Sequence, residues 1–141
     1  MICTPEDGWY STTRYPNSGD STARALREAF VPYARLVTIG QQCDDEPCLE
    51  GIDTSRYDYV VCPTILHWEN RATEWSGLPD RIRIGLVVYD AGSRDVLAKG
   101  SYAGKSKWAT LGGDKPEDLL PEPTQRFVDQ LYGRTEAGNS R

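Results

Sequence analysis

Two tryptophans, two glutamates, an arginine and the only histidine fall within residues 66–76, Leu-His-Trp-Glu-Asn-Arg-Ala-Thr-Glu-Trp-Ser. Lys105-Ser106-Lys107-Trp108 follows, and Gly112-Gly113-Asp114 comes straight after it. This mixture is too polar for a core and too aromatic for an ordinary loop. Indole faces stack on sugar rings and peptide side chains, and carboxylates accept from hydroxyls or amines. The candidate binding residues are therefore Trp68, Glu69, Arg71, Glu74, Trp75, Arg81, Lys105, Lys107 and Trp108. The alternative for the same residues is a structural knot. In it the tryptophans cover an open sheet end, and Arg71 and Arg81 pair with Glu69, Glu74 or Asp80.

Catalytic chemistry finds little support. Glu69 and Glu74 are the one tempting carboxylate pair, of the kind glycosidases use, but nothing in the sequence brings them together. His67 stands alone, so a two-histidine metal site cannot be built, and no Gly-x-Ser-x-Gly elbow exists for a serine triad. Gly100 to Ser106 has its first glycine one position too close for a phosphate loop, and it lies in a strand. No enzyme activity, cofactor or metal is expected.

The chain has 141 residues, which suits one globular domain over 1–133, with 134–141 as a disordered tail. It is 38% hydrophobic and 26% charged, with a net charge of -5, which speaks against a nucleic-acid partner. No apolar run reaches the roughly 18 residues of a membrane span. Met1 runs almost directly into Thr4-Pro5-Glu6-Asp7, so no signal peptide is read, and a native start at Met1 would place the protein in the cytoplasm. The four cysteines lack zinc-site spacing. Cys43 and Cys48 flank an acidic, proline-containing loop and form the disulfide candidate. Cys62 reads as a small buried apolar group. Cys3 could pair with it if their strands are neighbours.

The elements that must position these residues follow from periodicity. A short first strand ends before Pro5, and Asp20 or Ser21 caps a helix with Ala23, Leu26, Phe30 and Tyr33 on its buried stripe. Pro32 should weaken its last turn. Leu36 to Ile39 reads as a second strand, and Leu49 to Tyr57 as a short helical connection. Tyr59 to Cys62 is a central strand running on towards Trp68, bulged or edge-like at Pro63. Residues 82–90 and 96–108 form a hairpin turning at Ala91 to Asp95. Its Ile82, Ile84, Leu86 and Val88 share one face. Val96, Ala98, Tyr102 and Trp108 share one parity of the return strand, and Lys99, Lys105 and Lys107 the other. A last helix opens at Pro121 and Pro123, buries Phe127, Val128, Leu131 and Tyr132, and ends at Gly133. The predicted fold is α/β in the α+β sense. It has one mixed sheet of about five strands, two to three helices and the order β-α-β-(α)-β-β-β-α.

The segments Pro63 to Glu69, Arg71 to Gly77, Pro79 to Ile82, Gly104 to Thr110, Gly112 to Asp114 and Asp118 to Pro121, with Pro5 to Gly8, carry a resemblance. The chain resembles small, uncharacterised envelope lipoproteins of Pseudomonas and related proteobacteria over most of residues 5–132. Their element order is similar to the amino-terminal domain of the Tol–Pal propeller protein. The resemblance implies a periplasmic protein, held at the outer membrane by an acylated cysteine in a full-length form, with no assigned activity. Here Cys3 is not preceded by a lipobox, so the anchor is absent from this chain. The expected function is a non-enzymatic envelope binding or assembly module whose partner is another envelope protein. The rival is a peptidoglycan-binding domain or hydrolase built on Trp68, Glu69, Glu74 and Trp75.

Overall fold

The computed structural model describes residues 1–42, 49, 51–70, 80–105 and 115–133. A five-stranded mixed sheet and two helices form the fold, as the sequence predicts. The strands are β1 (Ile2–Thr4), β2 (Trp9–Tyr10), β3 (Thr13–Arg14), β4 (Ile39–Gln42), β5 (Tyr59–Glu69), β6 (Arg81–Asp90) and β7 (Val96–Lys105). The helices are α1 (Ser18–Phe30) and α2 (Pro121–Leu131). The main sheet runs in the order β4-β1-β5-β6-β7, and β2 and β3 form a separate two-stranded ribbon. β1 lies parallel to β4 and β5, whereas β5, β6 and β7 form an antiparallel meander.

One face of the sheet carries Ile2, Val61, Leu86 and Val88, packed against Ala23, Leu26 and Phe30 of α1 and Val128 of α2. Farther along that face Ile82, Ile84 and Tyr102 pack with Trp68 and Leu120. Their strict alternation in β6 is why the strand buries one side only. On the opposite face Leu49 and Ile52 pack over Cys3, Val60 and Cys62, with Tyr89 and Ala91 beside them. Among the described residues no helix is long and apolar enough to cross a membrane.

Several boundaries differ from the sequence reading. α1 starts at Ser18 with Asn17 in the cap position, three residues before an Asp20 cap, because residues from the preceding loop satisfy its first turn. Gly19 N donates to Asp7 Oδ1 at 2.9 Å, and Gly8 N to Ser18 Oγ at 2.7 Å. The second strand of the sequence reading lies at Ile39–Gln42 rather than 36–39, since register with β1 selects it: Ile39 pairs with Ile2 and Gln42 with Thr4. Of the helical connection expected over Leu49 to Tyr57, Leu49 and Gly51 are in 3₁₀ conformation, while Thr54 to Arg56 form a turn held by Ser55 on Asp53. Pro32 does end α1, which tightens into a 3₁₀ turn at Val31–Tyr33. Leu131 and Tyr132 stay substantially exposed rather than buried, although Tyr132 meets Phe30 and Tyr33 with one face of its ring.

Pro63 sits inside β5 opposite Leu86, without a register shift. Val61 N donates to Met1 O at 2.8 Å. Two residues on, Pro63 turns the same side towards β1 with no N–H to give, and the β1–β5 ladder ends. The bulge falls later, between Ile65 and His67. The extra residue, Leu66, resets the alternation so that Trp68 opposite Ile82 lands on the helix-covered face.

Candidate functional site

β5, β6 and β7 turn their second face outward. Alternation puts Arg81, Arg83, Gly85 and Val87 of β6 on it, with Lys99, Ser101, Ala103 and Lys105 of β7. The two cross-strand rows nearest the open end are Arg81 opposite Lys105 and Arg83 opposite Ala103. Arg83 Nη2 donates to Ser101 Oγ at 3.0 Å. Four cations thus share one face of a molecule whose net charge is -5. Like charges directly opposite on neighbouring strands destabilise a sheet, so Arg81 beside Lys105 is an arrangement that stability alone does not favour.

The same face is apolar at its centre and lower end. Leu66 is 54% exposed, Val96 57% and Leu97 52%. Leu66 lies across Gly85, where a Cβ would come within 3.2 Å of its Cδ1. A second bulge, between Val88 and Tyr89, turns Val96 to this face opposite Tyr89. It does not share the buried side with Ala98 and Tyr102, as its sequence parity predicts. Strand bulges therefore supply two of the three exposed apolar side chains.

At the edge of the face His67 Nε2 and Glu69 Oε1 are in hydrogen-bond contact, and Tyr10 of the small ribbon meets the His67 ring edge-on at 6.1 Å. Glu69 is buried and stands opposite Arg81 across β5 and β6. Asp80, beside Arg81, is fully buried.

The predicted binding residues thus separate. Arg81 and Lys105 lie on the outer face, as does the His67–Glu69 pair. Trp68 does not: it is 2% exposed, and its ring fills the core where a ligand cannot stack on it. The Leu66 bulge is what turns it inward. Arg71, Glu74, Trp75, Lys107 and Trp108 lie outside the described residues, as do Cys43, Cys48 and the tail 134–141. Sequence reasoning placed Lys99 on the solvent side but did not join Arg83, Leu66, Val96 and Leu97 to the site. For Arg83 and Lys99 the signal was present, as the shared parity of Arg81/Arg83 and Lys99/Lys105. For the leucines and Val96 it was not, because a bulge leaves no mark in the alternation. Cys3 and Cys62 do meet across β1 and β5, with Cys62 Sγ donating to Cys3 Sγ at 3.5 Å. Among the described residues no cluster of three or more His, Cys, Asp or Glu has metal-holding geometry. The arrangement can attract an anionic surface and bury an apolar one; its described groups do not assemble a nucleophile, a base and an oxyanion cradle.

The family model described as a domain of unknown function, DUF4823, matches residues 1–131. No curated protein matches the sequence. Among solved structures, a single-substitution variant of the PelC dodecamer from Paraburkholderia phytofirmans is similar with a TM-score of 0.67 at 8% identity, over 92% of this chain and 85% of that one. A hypothetical protein from Chlamydia trachomatis gives 0.57 at 11% identity, over 96% and 97% of the two chains. A Xanthomonas campestris protein of the DUF330 family gives 0.56 at 11%, over 92% and 81%. At these identities the likeness is one of fold.

Proposed function

The chain belongs to the DUF4823 family, and from that premise we propose that it is a non-enzymatic module of the bacterial envelope that docks another envelope protein on the outer face of β5–β7. One observation carries this reading. The face left open beyond Leu49 and Ile52 combines exposed Leu66, Val96 and Leu97 with Arg81, Arg83, Lys99 and Lys105. An apolar centre inside a charged rim is the composition of a protein-docking surface, and its sign calls for an acidic partner surface. The periplasmic location is supported by the resemblance of the Pro63–Glu69 and Gly104–Thr110 segments to envelope lipoproteins. The dodecamer of the Paraburkholderia protein adds support for assembly as the mode of action. A second copy of this chain is therefore one partner that the test must recognise.

A photoreactive residue in place of Leu97 tests the reading in cells, with a control in place of exposed Glu122 on α2. The expected result is a discrete adduct with one envelope protein, or with a second copy, from position 97 only. Arg83→Glu with Lys99→Glu should abolish it. Adducts from both positions alike would sink the proposal. So would retention on purified sacculi that survives the two substitutions, which would favour the glycan-binding rival.

A further inference from the structure

At the other end of the sheet lies a cleft that neither the family nor the outer face accounts for. Its volume is about 530 Å³, within the range of roughly 300–1,000 Å³ usual for small-molecule sites. Three segments distant in sequence build its walls: Phe30 with residues 33–37, the turn entering β5 at 56–59, and Tyr132 after α2. Its floor is apolar, made by Ile2, Phe30, Val61 and Val88. One wall is the Tyr33–Tyr132 pair, stacked at 4.0 Å with planes 1° apart. Tyr33 is locked there by its hydroxyl, which donates to Asp129 Oδ1 at 2.6 Å. Tyr57 and Tyr59 form the other wall, and half of Tyr59 is exposed.

The rim is cationic. Arg35 and Arg56 flank the mouth against the single carboxylate of Asp58. Arg56 lies over the Tyr57 ring at 5.6 Å, which draws its guanidinium to the aromatic wall. Among the described residues neither arginine forms an ion pair with a carboxylate.

We propose that this cleft binds an anionic amphiphile, its apolar body on the Phe30–Val61–Val88 floor between the tyrosine walls and its carboxylate or phosphate head on Arg35 and Arg56. A guanidinium offers paired donors that match either head group, and Asp58 is the one carboxylate lining the cleft, Asp53 lying outside it on the far side of Arg56's turn. An uncharged sugar would leave the apolar floor wet, and a nucleotide would need more charge than the rim supplies. The site is independent of the outer face, because no residue is shared between them.

The test is titration of the full chain with laurate and with dodecyl phosphate, followed by calorimetry and by amide chemical shifts. One-to-one saturable binding is expected, with shifts at residues 30–37, 56–61 and 132. The Arg35→Ala/Arg56→Ala variant should bind about tenfold or more weakly, and dodecanol should bind no better to the parent than to that variant. Leu36→Trp, at the exposed rim, should block the cleft without touching the core. Arg83→Ala on the outer face should leave binding unchanged. Co-flotation with vesicles containing an anionic lipid separates the sources. Flotation lost in the double-arginine variant identifies a membrane lipid; saturable laurate binding without flotation identifies a free amphiphile. Affinity equal in parent and double variant, or shifts confined to the outer face, would overturn the proposal, as would neither binding nor flotation.

Discussion

Tyr102 is the side chain where burial most changes chemistry. Its ring packs on Phe127 at 5.2 Å between centroids, and its hydroxyl accepts from buried Thr124 Oγ1 at 3.1 Å. Burial pushes its phenol up to about 12, the Thr124 hydrogen bond opposing in part. The fold therefore favours the neutral phenol over the unfolded value near 10. That contribution is fully present below about pH 10 and is lost as pH rises towards 12. Denaturant unfolding at stepped pH should show a plateau and then an alkaline loss on the order of 2 kcal/mol. Tyr102→Phe should flatten that loss and cost about 1 kcal/mol at neutral pH, since Thr124 loses its acceptor. An alkaline profile identical in the variant would refute the assignment. Cys3 and Cys62 make a second residue-scale case, because their sulfurs already touch across neighbouring strands at 3.5 Å. Diamide should convert the two thiols into one intramolecular disulfide, with a mass lower by two hydrogens. Peptide mapping that still finds both cysteines alkylated after diamide would count against this geometry.

Among the elements, the entry to α1 is held by packing too tight for any side chain at Gly19. A Cβ there would lie 2.2 Å from the Pro5 carbonyl oxygen. Gly19→Ala must push the helix away from the loop and break the Gly19–Asp7 and Gly8–Ser18 hydrogen bonds. A loss above about 2 kcal/mol is expected, against about 1 kcal/mol for Asp7→Ala, which removes the cap and the exposed Arg14–Asp7 pair but leaves the backbone packing intact. Paired melts of the two variants check the order. The hairpin β6–β7 and helix α2 were legible because each alternates or repeats at a single period over about ten residues. β4 was misplaced by three residues because its apolar run, Leu36 to Ile39, overlaps the paired strand only at Ile39: the partner, β1, decides the register, and β1 is far away in sequence. The two bulges were illegible for a related reason. A single inserted residue flips every later side chain, yet Leu66 and Leu97 read as ordinary strand residues. The burial of Trp68 depends on the first of these bulges, so composition alone does not reveal it. The tyrosine cleft was invisible because three distant segments contribute its walls.

Across the whole molecule, charge is segregated. The outer face gathers Arg81, Arg83, Lys99 and Lys105, although acidic residues outnumber basic ones in the chain by 21 to 16. Such a concentration raises the folded state's self-repulsion locally while steering anionic surfaces towards one side. Lys105→Glu places a carboxylate opposite Arg81 and removes the like-charge row. It should raise stability by on the order of 0.5 kcal/mol, read as a higher denaturation midpoint at low salt. The same substitution should weaken the position-97 adduct. A protein both more stable and equally competent would mean that the basic row has no docking role.

The place of β1 in the sheet bears on how the chain reaches its native state. β1 is synthesised first, yet its ladder partners begin at Ile39 and Val61. The meander from Tyr59 to Lys105, by contrast, joins neighbours in sequence. Short-range pairing is fast and long-range closure slow, so the meander is expected to form the early nucleus and β1 to dock late. A nascent chain would carry Ile2 and Cys3 exposed throughout that interval. Aggregation or misoxidation during synthesis should therefore begin at the amino-terminal strand, ahead of any segment of the antiparallel ribbon.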